Sequence, residues 1–255
     1  MADHVQIIGL KGIPAVQPGD DLGALTVAAM VETGLHPEHG DVLVVAQKIV
    51  SKSEDRFVDV STVTPSAEAI RLGKETLKDP RFVEVVLSES KRIVRHRENL
   101  LIAEHRLGFV MANAGIDHSN VVPGDGTERV LLLPVDPDRS ATRLRDQLIE
   151  SYGVPIAVIV SDSFGRPWRR GTVGVAIGAA GLPAAIDWRG HADMFGRTLE
   201  VTETGFADEI AAAASLVMGQ AAEAMPIALV RGLSWTAPEC PAADLVRPPE
   251  HDLFR

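Results

Sequence analysis

The stretch that decides the fold of this chain is Pro155-Ile-Ala-Val-Ile-Val160, which is followed by Ser161-Asp-Ser163, Gly165-Arg166 and Trp168-Arg-Arg-Gly171. The first run is short, apolar and rich in β-branched residues, and it predicts a buried strand of an α/β sheet. We therefore expect Asp162 and Ser163 where this strand leaves the sheet, which is where open α/β sheets bind their ligands.

The residue types after this strand favour a metal and phosphate site. A carboxylate beside a hydroxyl offers hard oxygen ligands for Mg²⁺ or Mn²⁺, and the three arginines of the segment offer forked donors for phosphate. The alternative is a turn or helix cap at Asp162 with solvated surface arginines. A second polar loop, Asn113-Ala-Gly-Ile-Asp117, also follows an apolar run. Two strand-end aspartates predict one divalent cluster assembled from two loops.

Composition narrows the class of protein. A chain of 255 residues, of which 45% are hydrophobic, can bury a large core as one domain or as two packed lobes. The formal net charge of −10 argues against nucleic acid as the main partner. The single cysteine, Cys240, excludes an internal disulfide and fits a reducing cytoplasm. Neither a signal peptide nor a membrane helix is predicted, so we expect a cytoplasmic protein without a membrane partner.

Helix and strand patterns alternate along the chain, which predicts the α/β class with a mixed sheet. Asp21, Asp79 and Ser140 are predicted to cap helices, the last of which ends near Gly153. The clearest helix is 207–218, with an acidic first turn and Gly219 after it. Strands are predicted at 5–8, 42–45, 100–102, 107–112, 130–133 and 227–230. Close backbone packing is predicted at the glycines 171, 174, 178 and 181.

Several nucleotide-binding and hydrolase motifs are absent from the sequence. There is no G-x-x-x-x-G-K-[ST] and no G-x-G-x-x-G after a strand, which excludes a P-loop and the ordinary dinucleotide fingerprint. The segment around Ser161 and Ser163 is not a nucleophile elbow, so serine hydrolysis is not predicted. The short motif Asp136-Pro-Asp138 is interpreted as a turn before the helix capped by Ser140.

A set of motifs in one order gives the chain a family resemblance. It resembles the coenzyme F420-0:L-glutamate ligase family, also called the F420 gamma-glutamyl ligases, from Ile8 through Gly232. The motifs are Asn113-Ala-Gly-Ile-Asp117-x-Ser-Asn120, Leu133-Pro-x-Asp-Pro-Asp138, Ser161-Asp-Ser-x-Gly-Arg166 with Arg169-Arg-Gly171, Asp187-Trp188, Ala207-Asp-Glu-Ile210 and Leu216-Val-Met-Gly-Gln220. The resemblance covers nearly the whole chain, and several motifs in one order are far more specific than any one of them.

The resemblance implies a ligase that depends on GTP and divalent metal and joins L-glutamate to the lactyl carboxylate of F420-0. The first glutamate is linked through its α-amine and later ones by γ-linkage. The resemblance also implies two metal sites for Mg²⁺ or Mn²⁺, with K⁺ as a further candidate, and an intertwined homodimer of two-lobed α/β subunits. Residues 1–255 are then one catalytic unit with two interleaved lobes, whose boundaries the sequence does not assign, and without the C-terminal flavin-reductase-like extension of some relatives.

The resemblance also implies roles for single residues. Asp117 and Asp162 resemble ligands of a first metal, and Ser163 and Gln220 resemble ligands of a second. We further predict catalytic roles for Arg166 and Lys52 as cations around the phosphates. The positions that resemble nucleotide contacts are Ile13, Pro14, Ala15, Val16, Gln47, Lys48, Lys52, Asn120, Met218, Gly219, Gln220, Ala221, Ala222, Glu223, Ala224 and Met225.

Two departures from the family pattern concern these positions. Gln220 is a neutral ligand where some relatives carry an acid, which predicts weaker binding of the second metal. The stretch Ala221-Ala-Glu-Ala224 lacks the glycine-rich turn of some relatives, which leaves selectivity for GTP open.

The chemistry of amide formation is consistent with this interpretation. A free carboxylate must be activated first, most simply as an acyl phosphate made from the γ-phosphate, and phosphoryl transfer needs positioning and charge neutralisation more than a side-chain nucleophile. Three alternatives stay open: a ligase of the same mechanism on another carboxylate, a metal-dependent phosphohydrolase, and a non-catalytic F420-binding protein. Turnover of GTP without an acceptor would indicate the hydrolase.

Overall fold

The computed structural model describes residues 4–117 and 128–253. The chain forms two compact units. Unit 1 comprises Met1–Ser53 and Val135–Leu245, and unit 2 comprises Glu54–Pro134 and Val246–Arg255. The first segment of unit 2 therefore interrupts the sequence of unit 1, and its second segment follows unit 1. Within the described ranges, no helix is both long enough and apolar enough to cross a membrane.

Helices and strands alternate along the chain, as predicted. The helices are α1 (Leu22–Thr33), α2 (Gln47–Ser53), α3 (Ala67–Thr76), α4 (Pro80–Ser88), α5 (Pro137–Tyr152) and α6 (Phe206–Met218). The strands are β1 (Gln6–Gly9), β2 (Val42–Ala46), β3 (Phe57–Asp59), β4 (Ser90–Arg97), β5 (Leu100–His105), β6 (Val110–Ala112), β7 (Arg129–Leu131), β8 (Ala157–Arg166), β9 (Arg169–Ala180), β10 (Ile186–Asp187), β11 (Glu203–Thr204) and β12 (Ile227–Arg231).

Unit 1 is built on a mixed five-stranded sheet in the order β1-β12-β2-β8-β9. β2 and β8 pair in parallel, whereas the other neighbours pair antiparallel. Helix α6 packs on one face of this sheet, against a cluster of buried residues that includes Val44, Ile159 and Val230. The α/β class with a mixed sheet is confirmed.

Strand β8 is longer than the sequence predicted. It does not end at Val160 but continues to Arg166 and pairs with β9 across a turn at residues 167 and 168. The expectation that the strand ends before Asp162 and Ser163 was wrong, because pairing with β9 keeps these polar residues extended. Both residues do lie where the strand leaves the five-stranded sheet. The neighbouring β2 ends at Ala46, opposite Ser161. Beyond that point β8 and β9 project from the sheet as a two-stranded hairpin, which we call the β8–β9 hairpin.

Two glycines of β9 allow helices to approach it closely, which confirms the predicted close packing at Gly174 and Gly178. The prediction was wrong for Gly171, where an added Cβ would meet no atom within 4 Å. A Cβ atom at Gly174 would overlap the backbone carbonyl of Ala211 in α6. A Cβ atom at Gly178 would overlap the backbone carbonyl of Pro137 in α5. Both positions therefore require glycine for steric reasons.

Two aspartates attach these helices to β9. Asp138 of α5 accepts hydrogen bonds from the backbone N–H groups of Ala179 and Ala242, each at 2.8 Å. Asp208 of α6 accepts one from Ala176 at 2.8 Å. Burial raises the pKa of both carboxyl groups, because it disfavours their charged form. Asp138 therefore lies inside a helix and makes long-range contacts, and the turn predicted at this position was wrong.

Most predicted helix caps are confirmed, and one is corrected. Asp21 caps α1 and Asp79 caps α4. Helix α5 is capped by Asp136, whose Oδ1 accepts the N–H of Arg139 at 3.0 Å, and not by Ser140. The helix begins earlier than predicted because Pro137 is well suited to a first helical position, where no N–H is needed.

Unit 2 contains two small antiparallel sheets, β3-β7 and β4-β5-β6, together with α3 and α4. The predicted hairpin is present as β5 and β6. Its third strand, β4, was missed because the sequence Ser90-Lys-Arg-Ile-Val-Arg-His-Arg97 has few apolar positions. The core between helices and strands contains Val83, Val86 and Leu101, all fully buried.

Candidate functional site

The strand order of unit 1 brings four predicted site segments to one edge of its sheet. β1, β2 and β8 all run in the same direction, because β12 is antiparallel to both β1 and β2. The segments that follow β1 and β2 therefore lie at the edge where β12 begins. Two backbone hydrogen bonds join them there, from Leu10 N–H to the Ile227 carbonyl at 2.9 Å and from Ala46 N–H to the Pro226 carbonyl at 2.8 Å. We call this the carboxyl edge of unit 1.

Two of the predicted nucleotide segments meet at the carboxyl edge. Gly9, which ends β1 just before the segment 13–16, packs against the sulfur of Met225, the last residue of the segment 218–225. Val16 is buried and anchors the first segment, whereas Pro14 and Ala15 are exposed. The first segment is therefore anchored by Val16 at its C-terminal end, while Pro14 and Ala15 are open to solvent.

The third segment is the short helix α2, which begins directly at the end of β2. Gln47 is buried and accepts a hydrogen bond from the Ser51 hydroxyl at 2.9 Å. Its side chain thus contributes to the packing of α2. Lys48 and Lys52 are half-buried and four residues apart, so they lie on one side of the helix. Both cations therefore lie on helix α2, which begins at the carboxyl edge of unit 1.

The fourth segment is the start of the β8–β9 hairpin. Asp162 and Ser163 are half-buried, and the Asp162 carboxylate accepts the N–H of Ser163 at 2.8 Å. Side chains alternate along a strand, so Asp162 and Arg166 share one face and Ser163 lies on the other. Ser163 and Asp162 are thus adjacent but directed to different sides of the hairpin.

The loop after α6 is organised by an acid that the sequence analysis did not single out for this role. The Glu223 carboxylate accepts the N–H of Ala221 at 2.8 Å and packs against Gly219. Backbone N–H donors, first that of Ala221, lower the pKa of Glu223. Gln220 and the residues to Ala224 are exposed. The loop thus presents Gln220 to solvent at the carboxyl edge.

In unit 2, Asp117 follows an unusual backbone segment. Asn113, Ala114 and Gly115 all have positive φ angles, of 51°, 52° and 71°. Left-handed backbone costs about 1–2 kcal/mol at a residue with a Cβ, and such strain is concentrated at functional segments. Asp117 then exchanges two backbone hydrogen bonds with Leu131, at 3.0 and 2.9 Å. The predicted nucleotide contact Asn120 lies outside the described residues.

The chain is similar to a known protein family over most of its length. The family model described as F420-0:Gamma-glutamyl ligase matches residues 11–232 of this chain. The chain belongs to this family. It is therefore an enzyme of the ligase class, as the sequence motifs predicted.

Curated relatives of this F420-0:gamma-glutamyl ligase family member match over nearly their full length. The protein named Coenzyme F420:L-glutamate ligase from Methanothermobacter thermautotrophicus is 45% identical over 253 residues, covering 98% of this chain and 99% of the relative. Its namesake from Methanocaldococcus jannaschii is 41% identical over 251 residues, covering 98% and 97%. The namesake from Methanopyrus kandleri is 45% identical over 247 residues, covering 94% and 93%.

The donor atoms at the predicted metal positions of this ligase fit a hard cation. Among the described residues, no three His, Cys, Asp or Glu side chains converge on one possible metal position. A carboxylate at Asp162, a hydroxyl at Ser163 and an amide oxygen at Gln220 are all oxygen donors. Mg²⁺ typically takes one or two carboxylates and completes its shell with water and substrate phosphate. Asp117 belongs to unit 2, so its shared cluster with Asp162 stays a prediction.

Proposed function

We propose that this protein is a GTP-dependent and divalent-metal-dependent ligase that joins L-glutamate to the lactyl carboxylate of F420-0 and then adds further glutamates by γ-linkage. The observation that carries the proposal is the carboxyl edge of unit 1, where four segments of the family pattern lie side by side. The family description, F420-0:Gamma-glutamyl ligase, and the relatives' name, Coenzyme F420:L-glutamate ligase, support the choice of the two substrates.

The proposed reaction has two steps. An oxygen of the acceptor carboxylate forms a bond to the γ-phosphorus of GTP, and the bond from that phosphorus to the β–γ bridging oxygen breaks, so GDP leaves with the electron pair. The amine of glutamate then forms a bond to the acyl carbon, and the acyl carbon–oxygen bond to phosphate breaks. The amine proton is released with the phosphate to solvent. No covalent bond to the protein is formed.

The side chains at the carboxyl edge have electrostatic roles in this scheme. Lys48 and Lys52 offset the charge of the nucleotide phosphates, and the segments 13–16 and 218–225 hold the nucleotide. Asp162, Ser163, Gln220 and Asp117 are the proposed metal ligands. When bound, Mg²⁺ or Mn²⁺ neutralises charge on the transferred phosphoryl group. Arg166 is proposed to act on the other substrate, F420-0.

The proposal is tested by mass spectrometry of F420-0 after incubation with the protein, GTP, Mn²⁺ and glutamate. We expect products heavier by one or more glutamyl residues, together with GDP. A parallel reaction without F420-0 should form little GDP, and rapid GDP formation there would indicate a phosphohydrolase instead. Unmodified F420-0 in the complete reaction, with other carboxylates converted, would indicate a ligase of different acceptor specificity.

The homodimer is part of the same proposal, and an exposed apolar arm supports it. The arm comprises residues 186–204, which pair through β10 and β11 and through a bridge between Ala192 and Thr198. At its tip Met194 and Phe195 are 88% and 86% exposed. Adjacent large apolar side chains at this exposure are typical of a surface that another protein covers.

We also propose a cytoplasmic enzyme, since its one cysteine fits a reducing compartment.

Replacing Met194 and Phe195 together by aspartate should convert the homodimer to monomer, because two charges would be buried in the contact. The measurement is molar mass by light scattering after size exclusion. The matched control is Val31→Glu, since Val31 is 72% exposed on α1. A dimeric double variant would exclude the arm as the interface, and a monomeric wild type would contradict the homodimer.

A further inference from the structure

Two arginines face each other at the end of the β8–β9 hairpin. Arg166, the last residue of β8, is directly opposite Arg169, the first residue of β9. Residues opposite each other on antiparallel strands project to the same face, and like charges in such a pair destabilise it. Arg170 falls in the irregular stretch between Arg169 and Thr172, where it has no cross-strand partner. The register thus pairs Arg166 with Arg169 alone.

This pair has no anionic partner within the part of the chain that the structure describes. Neither Arg166 nor Arg169 forms an ion pair with a described residue. The Nη1 atom of Arg166 is buried and lacks a hydrogen-bond acceptor among those residues. A buried cationic donor without an acceptor is costly, whereas the planar guanidinium binds phosphate or carboxylate through two parallel hydrogen bonds. The geometry is therefore suited to an anionic ligand.

The position of the pair indicates which ligand this is. Across the sheet, the nucleotide segments belong to β1, β12 and β2, Asp162 lies on the next strand β8, and the arginines lie farther out on the hairpin. Phosphoryl transfer places the attacking and leaving oxygens in line on opposite sides of phosphorus. With the nucleotide on one side of Asp162, the acceptor must lie on the other side, toward the arginines.

We propose that Arg166 and Arg169 together bind the phosphodiester of the acceptor F420-0. This inference rests on the proposed function. The phosphodiester oxygen is attached to the same lactyl carbon that carries the reacting carboxylate, so the two anionic groups are close neighbours. Arg166 is four residues beyond Asp162, about 13 Å along the strand. That spacing leaves room for the carboxylate near Asp162 while the long arginine side chains hold the ester.

The test compares the variants Arg166→Lys and Arg169→Lys with Arg170→Lys as the matched control. Lysine keeps the charge but loses the bidentate fork. We expect the KM for F420-0 to rise about 10- to 100-fold in the first two variants, as a lost charged hydrogen bond predicts, with the KM for GTP unchanged. Arg170→Lys should match the wild type. Calorimetric titration with F420-0 alone should show the same loss of affinity without turnover.

Two outcomes would contradict the assignment of Arg166 and Arg169 to the phosphodiester of F420-0. A rise in the KM for GTP or for glutamate, with normal affinity for F420-0, would assign the arginines to another substrate. Wild-type affinity for F420-0 in both variants would show that the two arginines are only solvated surface charges. A wild type that binds F420-0 without ligating it would contradict the proposed function but leave the titration as a valid test of the arginines.

Discussion

Asp162→Asn is expected to reduce ligation at least about a thousand-fold, because a metal that stabilises the transferred phosphoryl group is worth several kcal/mol. Asp117→Asn should have a similar effect if both carboxylates hold the same cation. Neither change opens a core cavity, so the melting temperature should stay within a few degrees of the wild type. The measurements are initial rates at increasing Mn²⁺ and thermal melts of each variant.

Asp146→Asn serves as the control for these variants. Asp146 is an exposed carboxylate whose ion pair with Arg145 lies on the surface of α5, and its loss should leave the rate unchanged. If Asp162 had only a structural role in the β8–β9 hairpin, Asp162→Asn would lower stability modestly and preserve ligation. Metal-dependent ligation at the wild-type rate in both Asp117→Asn and Asp162→Asn would refute the metal assignment.

Gly178→Ala is expected to destabilise the fold by about 3 kcal/mol or more, because the added methyl group overlaps the Pro137 carbonyl, which is backbone and cannot move aside. The measurement is the free energy of unfolding from denaturant titration. The matched control is Gly165→Ala in the paired strand, where an added Cβ meets no atom within 4 Å. The control should stay within about 0.5 kcal/mol of the wild type.

A small effect of Gly178→Ala would mean that α5 can shift away from β9. That result would contradict the close helix-to-strand contact, and with it the long-range hydrogen bonds of Asp138. An equally large loss for Gly165→Ala would show instead that any substitution in this pair of strands is disruptive.

Local features of the fold could be predicted because neighbouring residues encode them. Asp21 and Asp79 cap their helices as predicted, since a cap needs only a side-chain oxygen near the first N–H groups. At α5 two residues competed for this role, and Asp136 caps the helix because Pro137 fixes the start after it. The charged strand β4 was missed because its pairing with β5, more than its own pattern, keeps it extended.

The candidate site likewise combines features that the sequence predicted with features that only the folded structure reveals. The candidate residues of the site, among them Lys48, Lys52 and Asp162, were predicted from sequence motifs alone, and their roles stay predictions. The strained backbone at Asn113 and Ala114 was not, because a positive φ at these residues is imposed by surrounding structure. Likewise, the role of Glu223 in its loop depends on the fold of that loop and has no sequence signature.

The sequence by itself determined the α/β class and the family, and it predicted the candidate site residues, because these follow from local periodicity and from motifs in a fixed order. Only the tertiary structure decided that β12 lies between β1 and β2, that β8 continues into a hairpin, and that Arg166 faces Arg169. Strand order and register depend on contacts between residues far apart in the chain, and no local pattern specifies those contacts.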